Sequence, residues 1–470
     1  MKQKKDILNF NSLDNVSKKN MMSIVMRFSI PAILAQITSV IMQYIDAAMV
    51  GSLGANASAS IGLVSTTTWL LNGLCTSAVT GFSVQIAQLV GARRNDDVRN
   101  VFRQALLILT CFGIFMGVVA LSISPHLPGW LGGDKSIRAD STKYFTVFAF
   151  ILPATQLRQL CAGSLQCSGD MKTPSFLSIA MCFMNVIFNF IFIFPCRTVS
   201  LFGSEFSVYG ANLGVTGAAI GTLCAEYITA LLMFWRAAFK SDKLKFSLGG
   251  SWRVQKTCVR TALKVSLPAA VEHSVLCGAY ITSTVIIAPL GTVSVAANSL
   301  AITAESFCYM PGYGIGSAST TLVGQSLGAD RPQLAKKFAS TAIILGVVIM
   351  ALTAVLMFFG APWMFSLLTP DYAVAKLGTD ILRIEAFAEP LYAASIVCVG
   401  VLRGAGDTFV PSILNLVSMW GVRITLSLLL VPVFGLYGAW IAMATELCVR
   451  GILFLVRVYR GKWTQKKLAV

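Results

Sequence analysis

The chain has 470 residues, 56% of them hydrophobic and only 12% charged, with a mean hydropathy of +0.73. That composition excludes an ordinary soluble domain. The net charge of +17 asks for an acidic partner or surface, and the placement of the basic residues decides which.

Twelve apolar runs follow one another, at about 24–50, 58–86, 102–123, 142–164, 174–196, 213–236, 262–288, 294–324, 339–361, 377–402, 411–433 and 436–456. Each is long enough to cross a bilayer as a helix, and a helix closes its own backbone hydrogen bonds where water is absent. The expectation is an all-α integral membrane protein with twelve transmembrane helices. If the N-terminus lies inside, 29 of the 37 Lys and Arg, Arg158 and Arg403 among them, fall in cytoplasmic segments and five in outer loops. Arg383, Arg423 and Arg450 lie within spans. This asymmetry follows the positive-inside rule, places both termini in the cytoplasm and the chain in the cell membrane, and accounts for the charge without nucleic acid. The polar, Lys-rich start is not a signal peptide. The twelve cysteines show no C-x-x-C pair and read as small apolar fillers.

Five of the six prolines up to position 195 recur 237 residues later, as Pro31/Pro268, Pro125/Pro362, Pro153/Pro390, Pro174/Pro411 and Pro195/Pro432. The same offset aligns "QLVGARR" at 88–94 with "QSLGADR" at 325–331, and the "GD" pairs at 169–170 and 406–407. Beyond Pro195 the offset becomes 221, pairing "GVTGAAI" at 214–220 with "GLYGAWI" at 435–441; the extra residues lie in the outer loop "CRTVSLFGSEFSVYG". Such a period marks a duplication. Six spans per half make the repeats parallel, two pseudo-symmetric six-helix bundles suited to rocking about a central site. The expected division is a cytoplasmic segment 1–23, an N-lobe 24–236, a basic linker 237–261 that contains "KSDKLKFS", a C-lobe 262–457 and a tail 458–470. Pro153 and Pro390 stand mid-span, where proline kinks or hinges a helix, and Pro174 and Pro411 stand at helix starts.

Acids within spans are costly and point to function. They are Asp46, Glu226, Glu272, Glu305, Glu385, Glu389 and Glu446, with His273 and Arg423 beside them. The counterparts of Glu272, Glu305, Glu389 and Arg423 are Ala35, Thr68, Leu152 and Val186, so the second half carries ionisable chemistry that the first lacks. These glutamates can bind Na⁺, carry a proton or face a cationic substrate. Alternatively, Glu385 and Glu389, one turn apart, share Arg423 as a structural ion pair. Glu446 has Arg450 four residues on; Glu226 has no such neighbour. His273 can relay protons or sit hydrogen-bonded in the interior. Asp46 lies about four residues, roughly 6 Å, from the outer end of its span, and its counterpart is Ser283. No phosphate-binding G-x-x-x-x-G-K-[ST] and only two histidines are present. A nucleotide site, a His-rich metal site and an enzyme are therefore not expected.

"IDAAMVGSLG" at 45–54, "VGARRNDDVRNVFRQA" at 90–105, "GVTGAAIGT" at 214–222 and "VLRGAGDTFVP" at 401–411 together resemble the multidrug and toxin extrusion (MATE) family. The resemblance runs from about residue 20 to 460. It implies an antiporter without a cofactor, acting as a monomer, that exports amphiphilic and often cationic compounds in exchange for Na⁺ or H⁺. It further implies an N-lobe ion site of Asp46, Asn185, Asn189 and Thr222, with Na⁺ at Asp46, Asn185 and Asn189. At position 189, relatives often carry an aspartate. NorM-like relatives place a glutamate and an aspartate where Leu276 and Tyr392 stand here. That leaves Glu272, Glu305, Glu385, Glu389, Arg423 and His273 as C-lobe candidates from the residue count alone. A flippase for lipid-linked or anionic cargo, from the same superfamily, is the alternative.

Overall fold

A computed structural model describes residues 18–201, 204–246 and 252–465. The ends of the N-terminal segment and tail, and part of the basic linker, lie outside the described residues.

The first six apolar runs form α1 (Lys18–Gly51), α2 (Ala55–Gly91), α3 (Asn95–Ile123), α4 (Lys135–Cys167), α5 (Lys172–Ile193) and α6 (Gly214–Trp235). The second six form α7 (Lys256–Ile287), α8 (Thr292–Gly328), α9 (Pro332–Leu368), the pair α10 (Tyr372–Ala386) and α11 (Glu389–Gly404), α12 (Phe409–Phe434) and α13 (Leu436–Tyr459). Ten of these helices are long and apolar enough to span a membrane, and α10 with α11 make an eleventh, bent by 60°. Helix α8, with 37 residues, is the second repeat's counterpart of α2 and has the length to span as well. The bend falls where Pro390 was expected to kink a helix: the chain breaks at Phe387–Ala388 and restarts with Pro390 in its first turn. Pro153 instead stays within the unbroken α4. Helix α12 carries a π-turn at Val417–Ile424. The insertion in the outer loop is not a plain loop; it pairs as an antiparallel hairpin, β1 (Pro195–Leu201) with β2 (Ser204–Ala211).

The duplication read from the prolines is visible in backbone and side chains. Left-handed conformations recur at Gly54 and Gly291, at Arg93 and Asp330, at Gly169 and Gly406, and at Gly214 and Gly435. Asp134 and Asp371, counterparts, cap the starts of α4 and α10 by accepting from the amides of Ser136 and Ala373. Such caps satisfy donors that the helix leaves free. Each "GD" aspartate takes an arginine from the end of its lobe, Asp170 with Arg236 at 3.1 Å and Asp407 with Arg457. Arg236 and Arg457 are separated by the second offset, 221.

Two seams join the halves, with α1 against α8 and α7 against α2. Along the first, Tyr44 stacks on Phe307 at 5.3 Å. Along the second, Trp69 meets Tyr280 edge-on at 5.6 Å and the Gly81 amide donates to Ser266 Oγ at 3.1 Å. The C-terminal ends of α2 and α8 cross at the basic end of the molecule. A Cβ on Gly91 would stand 2.0 Å from the Gln325 carbonyl oxygen, and one on its counterpart Gly328 1.9 Å from that of Gln88. Glycine is required there because backbone meets backbone. The crossing buries Gly81–Gly91 throughout.

Candidate functional site

The lobes enclose a central cavity of about 770 Å³, well within the size range of small-molecule sites. Both halves line it: Gln36 and Trp69 from the first, Tyr313 and Tyr392 from the second. Its charged lining consists of Arg158, Arg403, Arg450 and Glu272, with His273 beside them.

Asp46, Asn185, Asn189 and Thr222, far apart in sequence, come together on α1, α5 and α6. Asn185 and Asn189 share a helix face by their spacing of four. The Asn189 amide nitrogen donates to Asp46 Oδ1 at 2.8 Å and to Asn185 Oδ1 at 2.7 Å, and Asn185 donates to Thr222 Oγ1 at 3.1 Å. With both its hydrogens used, Asn189 leaves Oδ1 buried and without a donor. An orphaned buried oxygen is costly, and here it belongs to the side chain whose amide nitrogen holds a carboxylate and a second amide oxygen. That oxygen-rich set fits a hard cation such as Na⁺. Gly221 keeps the pocket open, since a Cβ there would stand 2.1 Å from Asn189 Oδ1.

The C-lobe candidates separate into two groups. Glu305 on α8, Glu385 on α10 and Glu389 on α11 each bring a carboxylate oxygen within 4.8 Å of the other two. All three are buried, and among the described residues no oxygen of Glu385 or Glu389 accepts a hydrogen bond. The break in the tenth span makes this cluster possible, because it turns Glu385 and Glu389 toward one point from two differently directed segments. Arg423 does not pair with them as the alternative had it. Its guanidinium lies over the Tyr280 ring at 5.5 Å, and the π-turn that contains it redirects the side chain from the expected face. Three carboxylates so close cannot all stay charged without a cation or proton among them.

Glu272 and His273 lie on α7 at the cavity wall. Glu272 accepts from Asn415 at 2.6 Å and Ser412 at 3.2 Å, and Arg403 stands 3.7 Å away. The His273 ring nitrogen is 3.3 Å from the Trp69 carbonyl, in space left by Gly73. Asp46, Glu305, Glu385 and Glu389 do not line the cavity. Ser39, two turns before Asp46, and Tyr392, three residues after Glu389, do.

Two sequence readings are corrected by contacts between helices. Glu226 has a partner, Arg158 of α4, at 2.6 Å. Arg158 and Arg403, counted as loop charges, belong to helices and line the cavity. Arg158 stood inside the predicted run 142–164, and that position was the available signal. Arg450 pairs with Glu446 at 3.1 Å, as their spacing of four suggested.

The MatE family model matches the chain twice, over residues 31–191 and 268–429, which are the two repeats. Among relatives, "Probable multidrug resistance protein NorM" of Thermotoga maritima is 24% identical over 451 residues, covering 94% of this chain and 92% of its own. The protein of that name from Xanthomonas axonopodis pv. citri is 27% identical over 436 residues, covering 91% and 92%. A solved structure described as the outward-facing conformation of a multidrug resistance MATE family transporter of the MOP superfamily has the same fold. Its TM-score is 0.87 at 19% identity, over 95% of this chain and 97% of its own.

Proposed function

The chain belongs to the MatE family of transporters, and from that premise we propose that it is a multidrug exporter working as a secondary antiporter: amphiphilic compounds leave in exchange for Na⁺ or H⁺. The observation that carries this reading is the hydrogen-bonded set Asp46–Asn189–Asn185–Thr222, with one carboxylate and one unsatisfied buried amide oxygen. A cation there would supply the missing partner of Asn189 and change the interactions among α1, α5 and α6. Because the site lies beyond the cavity wall, this reading transmits coupling through the helices rather than by direct competition for one pocket. Helix α1 is suited to that role, since it carries both Asp46 and the cavity residues Gln36 and Ser39 and packs on α8 of the other lobe.

The charge asymmetry of the loops supports a protein of the cell membrane with its basic end, where α2 and α8 cross, in the cytoplasm. We propose lobes at 24–236 and 262–457, each containing one of the two family-model matches, 31–191 and 268–429. We further propose that the protein acts as a monomer, since each chain holds both lobes and its own cavity. The test is transport by the reconstituted full chain in proteoliposomes, under an imposed Na⁺ gradient and, separately, a pH gradient. Substrate movement against its own gradient under one of the two supports the antiporter. Equilibration alone, under either gradient, contradicts it.

A further inference from the structure

We infer that the central cavity selects amphiphiles bearing an anionic group, and that Arg403 is the specificity-determining residue that receives that group. This inference rests on the exporter reading and names its cargo, in the opposite sense to the cationic compounds expected from the resemblance.

Three features of the wall support it. First, the guanidiniums of Arg158, Arg403 and Arg450 line the cavity, against a single carboxylate, Glu272. The partners of two of them, Glu226 and Glu446, stand behind the wall and are not part of the lining. In both pairs the contact to the carboxylate is through Nε. A guanidinium has five donors in a planar fork, so the terminal nitrogens remain for a carboxylate, sulfonate or phosphate.

Second, the one lining carboxylate is already satisfied. Glu272 accepts from Asn415 at 2.6 Å and Ser412 at 3.2 Å. Among the described residues Arg403 is held by a long contact to it, 3.7 Å, and its side chain is 36% exposed, the most open of the three arginines. Arg403 is therefore the guanidinium with the most unspent donors at the cavity surface.

Third, two of the four tryptophan and tyrosine rings on the wall, Tyr280 and Tyr392, already hold a guanidinium, which leaves Trp69 and Tyr313 for a cationic guest. Arg423 covers Tyr280 at 5.5 Å and Arg450 covers Tyr392 at 5.2 Å. A ring that already holds a guanidinium has its attractive face taken and repels a second cation. Meanwhile Asp46 and the Glu305–Glu385–Glu389 cluster, the acids that could compensate a cationic guest, lie outside the lining. The counterpart of Arg403 in the first repeat is Gln166, so the duplication does not require a charge there.

The test uses the full chain in detergent and in proteoliposomes, with two fluorescent dodecyl probes of identical tail, one ending in sulfonate and one in trimethylammonium. Neither head group titrates. The sulfonate should bind about tenfold tighter or more, and Arg403→Gln should remove about tenfold of that affinity while leaving the trimethylammonium probe unchanged. Arg403→Lys, which keeps the charge, should retain most of it. Melting temperatures of both variants identify a folding defect. Equal loss of both probes in Arg403→Gln with unchanged melting would make the residue structural and overturn the inference. Tighter binding or transport of the trimethylammonium probe would overturn it too while leaving the exporter reading intact. If wild-type vesicles move neither probe under any gradient, the exporter reading falls and this inference with it. A parallel arm with fluorescent phosphatidylglycerol distinguishes the source of the anion: movement of the lipid as well as the sulfonate probe, both lost in Arg403→Gln, extends the same arginine to a lipid head group.

Discussion

Gln88 and Gln325 occupy the same place in the two repeats, and each holds the opposite lobe. Gln88 donates to the Gly404 carbonyl at 3.3 Å and Gln325 to the Cys167 carbonyl at 2.7 Å. Gly404 and Cys167 are themselves counterparts, 237 positions apart. The cavity is thus closed at its basic end by a reciprocal clasp that the duplication builds from one glutamine used twice. Both side chains are buried, so opening this end must break both bonds.

Replacing both glutamines by leucine should loosen that end. Each replacement leaves a buried carbonyl unpartnered, at about 1–3 kcal/mol. With spin labels at Ala92 and Ala329, just beyond the crossing, the distance distribution should gain a longer component in the double variant. A distribution unchanged from the parent would show that the clasp does not hold the lobes together.

The glycines of the crossing give a second prediction. Gly91→Ala or Gly328→Ala forces a methyl against backbone at about 2 Å, and over-packing of this kind costs about 1–3 kcal/mol. The melting temperature should fall in both. Gly62→Ala, where nothing lies within 4 Å, should leave it unchanged, and equal behaviour of all three would refute the close crossing.

Arg158 and Glu226 should behave as a unit. Glu226→Leu leaves a guanidinium unpaired in a largely buried setting, at about 2–3 kcal/mol after allowing for water in the cavity. The double replacement Glu226→Leu with Arg158→Leu should recover most of that loss. Additive losses in the double-mutant cycle would mean that the 2.6 Å pair contributes nothing to stability.

How much of this was legible in the sequence differs by kind of feature. Repeated prolines and the "GD" and "QLVGARR" motifs revealed the duplication because they mark turns, caps and crossings that backbone geometry fixes locally. The left-handed residues Arg93 and Asp330 lie inside one of those motifs. The N-lobe set was reached through the family resemblance, since no periodicity links position 46 to 189. Contacts between helices were the part left unread. Glu226 meets Arg158 across 68 positions, and Arg423 turns away from Glu385 because a π-turn alters its phase, and neither fact has a local signature. The ends of spans were also set short, because α2 and α8 run on as helices to a crossing that only contacts between the lobes stabilise.

The two acidic sites predict a divided response to Na⁺. At fixed pH and ionic strength, with choline in exchange, added Na⁺ should raise the melting temperature of the protein, since a ligand of the native state stabilises it. Asp46→Asn and Glu385→Gln should each reduce the shift and together abolish it. A full shift in the double variant would place Na⁺ elsewhere.

The central claim is that Asp46 couples the ion gradient to export, and gradient-driven transport by Asp46→Asn in proteoliposomes tests it most directly. The substitution keeps the size of the side chain and an oxygen for Asn189 but removes the only carboxylate of the set. The account predicts that the variant folds, binds substrate and lets it equilibrate, yet no longer moves it against its gradient under either Na⁺ or pH drive. Undiminished uphill transport by Asp46→Asn would contradict it.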